Sequence, residues 1–145
     1  MIDDPGRGVA LGLDLGDARI GVAISDPERR VAVPVGTVHV GQPPGELKAI
    51  AALVREHAAT VVVLGHPRSM SGRSGARAQL AESFADALRS IREVPVELHD
   101  ERLSTVEAER RLEAGGRRGR EARQRVAASA AAVILQGWLD RRRTT

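Results

Sequence analysis

Two apolar runs separated by a glycine-bearing turn open the chain, residues 9–15 and 20–25. Runs this apolar predict strands, at least one of them deep in a sheet, and the tight turn sends the second strand back antiparallel to the first. Residues 31–40 alternate as a third strand. Pro34 lacks an amide to donate, so that strand belongs at an edge or a bulge. Short turns between the three predict a meander. Apolar positions at Leu47, Ile50, Ala51, Val54 and Ala58 then recur at helical spacing over residues 46–59. Residues 60–65 are almost wholly apolar, as a strand covered on both faces must be. A polar loop from His66 to Gly75 leads to a helix with Leu80, Phe84, Leu88 and Ile91 on one face. Residues 95–101 form a further strand ending in two adjacent carboxylates, Asp100 and Glu101.

The sequence Ser104-Thr105-Val106-Glu107 has the form of a capping box and predicts a helix to about Ala114. A basic glycine-rich loop ends it. The last helix is expected over residues 121–139, burying Val126, Ala130, Val133, Ile134 and Trp138. Residues 1–8 read as a loose end. The fold class is therefore α/β: a mixed five-stranded sheet with crossover helices on both faces and later strands parallel to the first. One domain spans residues 1–145, with its core at about 8–140.

That topology gathers the carboxyl ends of the parallel strands at one edge. Asp14, the loop after Gly65, and Asp100 with Glu101 are expected to meet there. A carboxylate within an apolar strand is costly unless compensated, so Asp14 is the leading candidate for chemistry. Carboxylates converging from separate strands call for a cation, and hard oxygens select Mg2+ or Mn2+. Two such ions can clamp the attacking and leaving oxygens of a phosphodiester.

Composition sharpens this picture in three respects. The net charge of +3 conceals a cluster of arginines at positions 110, 111, 117, 118, 120, 123 and 125, and Lys48 is the sole lysine of the chain. Arginine forks suit phosphate oxygens, so the cluster is a candidate nucleic-acid contact, a solvated helix surface being the plainer reading. The absence of cysteine excludes thiolate metal sites. No apolar run approaches a membrane span and no signal-peptide pattern opens the chain, so a soluble, cytoplasmic protein without membrane partners is expected.

Several separate blocks now resemble one family, YqgF/RuvX. They are Leu13-Asp14-Leu15-Gly16 with Ile20-Gly21, Gly65-His66-Pro67 with Gly72 and Gly75, Asp100 through Thr105, and Ala130 through Leu139. The resemblance implies a ribonuclease H-like fold, similar to RuvC-type junction resolvases. It also implies metal-dependent hydrolysis of structured RNA or DNA: maturation of the 5′ end of pre-16S ribosomal RNA, possession of ribosomal precursor particles as partners, or junction cleavage in DNA repair. Asp14 and Glu101 would hold Mg2+ or Mn2+, with Asp100 the other member of the acidic pair. Residues for substrate contact would be His66, Arg68, Arg73, Arg77, Arg102, Arg117, Arg118 and Arg120. The chain would act as a monomer or homodimer.

One departure stands out. The family usually carries a third metal-binding aspartate seven residues before the Ile-Leu pair, and here that position is Ala127. It marks either an engineered inactivation or a natural loss or relocation of a ligand. Cleavage by the chain as it stands is expected to be weak or absent. Two other readings compete: an adaptor that binds nucleic acid or ribosomes without cutting, and an actin-like or sugar-kinase ATPase. The ATPase needs two such domains around its nucleotide, and this chain supplies one.

Overall fold

In chain order the strands are β1 (Ala10–Leu15), β2 (Arg19–Ser25), β3 (Ala32–His39), β4 (Val61–His66) and β5 (Val96–Asp100); the helices are α1 (Gly45–Glu56), α2 (Gly75–Ile91) and α3 (Arg120–Arg143). The computed structural model describes residues 3–16, 18–41, 45–66, 75–91, 94–100 and 119–143, with backbone alone at 75–77, 91, 120 and 143. The helix expected over 104–114 lies outside the described residues.

The strands form one mixed sheet in the order β3-β2-β1-β4-β5. The meander β1-β2-β3 is antiparallel, while β4 and β5 run parallel to β1. Pro34 occupies the expected position. It lies on edge strand β3, where the register passes from Val22↔Gly36 to Ala23↔Pro34 and leaves Val35 without a partner on β2. The bulge and the edge together accommodate the missing amide.

Period-two alternation splits the sheet into two faces, each with its own core. Leu11, Leu13, Ile20, Val22, Val62, Leu64 and Val96 pack under α1 and α2. Ala10, Ala23, Val61 and Val63 pack under α3, against Ala131, Ile134, Leu135 and Trp138. α3 approaches so closely that two glycines beneath it are obligatory. A Cβ on Gly12 would lie 2.7 Å from the Leu135 Cβ, and one on Gly21 only 1.9 Å from the Ala127 carbonyl oxygen.

α2 buries Leu88 and packs Phe84 against the core as expected, but Leu80 departs from the expected face. Leu80 is 62% exposed, and the buried positions are Ala78, Ala81, Ala85 and Leu88. Small alanines let the helix sit low on the sheet, and that close approach outweighs burial of one more leucine. α1 ends as Ala58 takes a left-handed conformation (φ 52°), short of the expected boundary.

The residues before β1 are not a loose end. Arg29 is 7% exposed, although its turn is otherwise polar. It donates to both oxygens of Asp4 (2.8 and 2.6 Å), to the carbonyls of Arg7 and Gly8 (3.1 and 2.9 Å) and to the Thr60 hydroxyl (3.0 Å). Its guanidinium lies 5.3 Å from the centre of the Trp138 ring. One side chain thus ties the first residues, the β2–β3 turn, the start of β4 and the end of α3 together. Its left-handed backbone (φ 58°) is a local cost that these bonds offset.

Candidate active-site face

Asp14 lies near the carboxyl end of central strand β1 and is 7% exposed. Alternation with Ala10 and Gly12 turns it toward α3. Its partner on β2 is Gly21, and the β1–β4 pairing reaches Leu13↔Leu64, so Gly65 is the next residue on the other side. Gly65 in turn pairs with His99. Across the sheet beneath α3, the row therefore reads Gly21, Asp14, Gly65, His99: a carboxylate between two bare positions, with an imidazole beyond.

Residue 127 comes down onto this row. Its carbonyl oxygen occupies the space a Gly21 side chain would need, directly beside Asp14 on the next strand. A side chain at 127 is half-buried, and α3 is fixed there by the backbone contact with Gly21. Geometry thus brings Asp14 and position 127 together, and what stands at 127 is a methyl group.

Other expected members of the site are placed elsewhere. Asp100 pairs with His66, and both alternate onto the α2 side of the sheet, away from Asp14. His66 is not in a loop: it is the last residue of β4, 4% exposed, with Nε2 3.2 Å from a Glu82 carboxylate oxygen on α2. Arg120 opens α3 and Arg77 lies in the first turns of α2, each with its backbone alone described. Glu101, Arg68, Arg73, Arg102, Arg117 and Arg118 lie outside the described residues.

His99 differs from the expected strand histidine with ordinary hydrogen bonds. It is 5% exposed, and its Nε2 is buried without a hydrogen-bond partner among the described residues. Burial lowers its pKa, the Arg141 charge adds to that, and Asp100 opposes it. The ring lies against Gly137, whose added Cβ would be 3.1 Å from Nε2. Trp138 is core, as its place on the apolar stripe implies: it is 4% exposed, and the Arg142 guanidinium lies 4.3 Å from its ring centre.

A divalent ion needs several converging oxygens. On this face the described residues offer the Asp14 carboxylate, position 127 offers none, and Asp100 is turned away. Among the described residues no group of three His, Cys, Asp or Glu could hold a metal. By themselves they do not complete a metal site. Likewise, no described helix is long and apolar enough to cross a membrane.

Comparison with known proteins agrees with this architecture. The profile of a family described as "RuvX: Holliday junction resolvase" matches residues 8–141. A protein of Mycolicibacterium paratuberculosis named "Putative pre-16S rRNA nuclease" is 50% identical over 141 residues, covering 97% of this chain and 84% of its own length. One of the same name from Anaeromyxobacter sp. is 52% identical over 132 residues, covering 91% of this chain and 96% of its own. Among solved structures, T. thermophilus RuvC in complex with a Holliday junction substrate is similar with a TM-score of 0.56. It is 19% identical and the match covers 95% of this chain and 97% of that one. That likeness identifies the fold as resolvase-like, in agreement with the ribonuclease H-like expectation.

Proposed function

Since the chain belongs to the RuvX family, we propose that it is a nuclease that hydrolyses phosphodiester bonds of structured nucleic acid. Its substrate is the 5′ region of pre-16S ribosomal RNA, met in the cytoplasm on ribosomal precursor particles. The observation that carries this reading is the Asp14 row: a buried carboxylate at the end of the central strand, with bare glycine positions on both sides. Gly65 puts no side chain in the way of a bulky phosphodiester, whereas the space over Gly21 is taken by the Ala127 carbonyl. The names of the 50%-identical relatives support RNA as the substrate. The family description supports a DNA junction as the competing one.

The reaction further requires Mg2+ or Mn2+, held by Asp14 and Glu101 together with an acid at position 127. Such an ion would supply an activated water and charge neutralisation at the phosphate. With Ala127 in place the donor set is short by one, so the chain as it stands is a feeble nuclease. Loss of even an outer-shell partner costs about 10–100-fold in metal sites, and a direct ligand should cost no less.

The test is cleavage of an end-labelled pre-16S leader RNA and of a four-way DNA junction, each with Mg2+ and with Mn2+. The chain, its Ala127→Asp variant, and that variant carrying Asp14→Asn would be compared. Ala127→Asp should raise cutting about a hundredfold, and Asp14→Asn should abolish the gain. If Ala127→Asp cuts neither substrate while the chain still binds nucleic acid, the protein is an adaptor and the nuclease reading fails.

A further inference from the structure

We propose that Arg19 grips the nucleic-acid phosphate next to the one presented to Asp14, with Arg123 and Arg125 of α3 extending the cationic track. The inference rests on the nucleic-acid reading above and adds Arg19, which composition alone does not single out, to two arginines of the later cluster.

Arg19 opens β2, two residues before Gly21. Ala23 packs under α3 and Gly21 touches the Ala127 backbone, so alternation turns Arg19 toward the same face as Asp14. It lies beyond the last β1–β2 pair, Leu15↔Ile20, where the sheet opens to solvent. His39 is its partner on β3 and shares that face. α3 runs on for seven residues before Ala127, placing its first turns over the same end of the sheet, with Arg123 and Arg125 exposed on them. Glu121 is the exposed acid there, and Asp17 of the neighbouring turn lies outside the described residues.

Arg19 is half-buried, yet its side chain makes no hydrogen bond or ion pair among the described residues. The contrast with Arg29, which is satisfied five times over, is informative. A guanidinium with no carboxylate on it is available to an external anion, and its planar fork matches a phosphate. Asp14 pairs with Gly21, so Arg19 is its diagonal neighbour at about 7–8 Å, comparable with the step between successive phosphates of one strand. A phosphodiester lying over Asp14 would therefore bring its neighbour to Arg19. The amino end of α3 adds its dipole to the same region.

The experiment is binding, not cleavage, so that Ala127 does not obscure it. A fluorescein-labelled RNA stem-loop with a 5′ single-stranded extension would be titrated in EDTA at several salt concentrations, with the chain and with Arg19→Ala, Arg19→Gln and Arg19→Lys. Arg55→Ala, an exposed arginine on α1 across the sheet, is the control. Arg19→Ala and Arg19→Gln should bind about tenfold more weakly, the worth of one charge-assisted contact. The slope of log affinity against log salt should become shallower by about 0.7. Arg19→Lys should keep the slope, and Arg55→Ala should change neither quantity. An unchanged slope in both Arg19→Ala and Arg19→Gln, or an equal loss in Arg55→Ala, overturns the inference while leaving the nuclease reading intact. Failure of the unmodified chain to bind any RNA or junction DNA overturns both.

Discussion

Gly21→Ala is the most demanding test of how this molecule is built. The added methyl carbon would stand 1.9 Å from the Ala127 carbonyl oxygen, 2.4 Å from its carbon and 3.1 Å from the Ala128 nitrogen. All three are backbone atoms, so no side chain can rotate away. To restore even 3.0 Å, the oxygen must retreat by about 1.1 Å, and it can do so only if α3 lifts. Lifting α3 also parts Ala131 and Leu135 from Gly12, so the contacts beneath the helix loosen together. A clash of this kind costs about 3 kcal/mol, the upper end for overpacking in a close-packed interior. In a domain of this size that corresponds to a drop of about 6–12 °C in Tm. Gly36→Ala is the matched control, since its Cβ would meet nothing within 4 Å, and it should shift Tm by no more than about 1–2 °C. Calorimetry on both variants decides the matter. A Gly21→Ala protein as stable as Gly36→Ala would refute the packing of α3 on β2, and with it the placing of residue 127 beside Asp14.

Three further outcomes follow from the same structure. Arg29→Met leaves Asp4 buried without its partner and should destabilise by about 3–5 kcal/mol in urea unfolding. Burial works to raise the Asp4 carboxyl, but hydrogen bonds from Arg29 and the Gly6 amide, with the Arg29 charge, hold it below the ordinary carboxylate value. Its contribution is therefore complete above about pH 4 and is lost as pH falls further, and Asp4→Asn should flatten the acid limb of the stability curve. On α2, Leu80→Glu should change stability by less than about 0.5 kcal/mol, whereas Leu88→Ala should cost about 2–5 kcal/mol. Equal effects at the two positions in chemical denaturation would contradict the assigned face.

The meander, the two parallel strands, the edge position of Pro34 and the two-sided cover were legible because each rests on a local rule of period or hydrogen bonding. Asp14 was legible for a related reason, as a lone carboxylate in an apolar run. Which carboxylate of the Asp100-Glu101 pair shares its face depends on register and alternation, and the strand pairing turns Asp100 to the other side. Leu80 misled because hydrophobicity ranks leucine above alanine, while close helix-on-sheet packing reverses that order. Arg29 and Asp4 were invisible in advance, since an ion pair across twenty-five residues has no periodic signature. Arg19 was hidden by the larger arginine cluster later in the chain, although counting two positions back from Gly21 places it on the same face as Asp14.

The order of synthesis gives α3 a second role. The strands of the sheet span residues 10–100, yet one face is covered by the helix at 120–143, which follows all of them in the chain. Until then Ala10, Ala23, Val61 and Val63 face solvent or chaperone, and no backbone stands over Gly21. Position 127 arrives only with that closing helix. The cover over Gly21 and the row beside Asp14 is therefore missing from any chain that stops short of α3, however complete its strands.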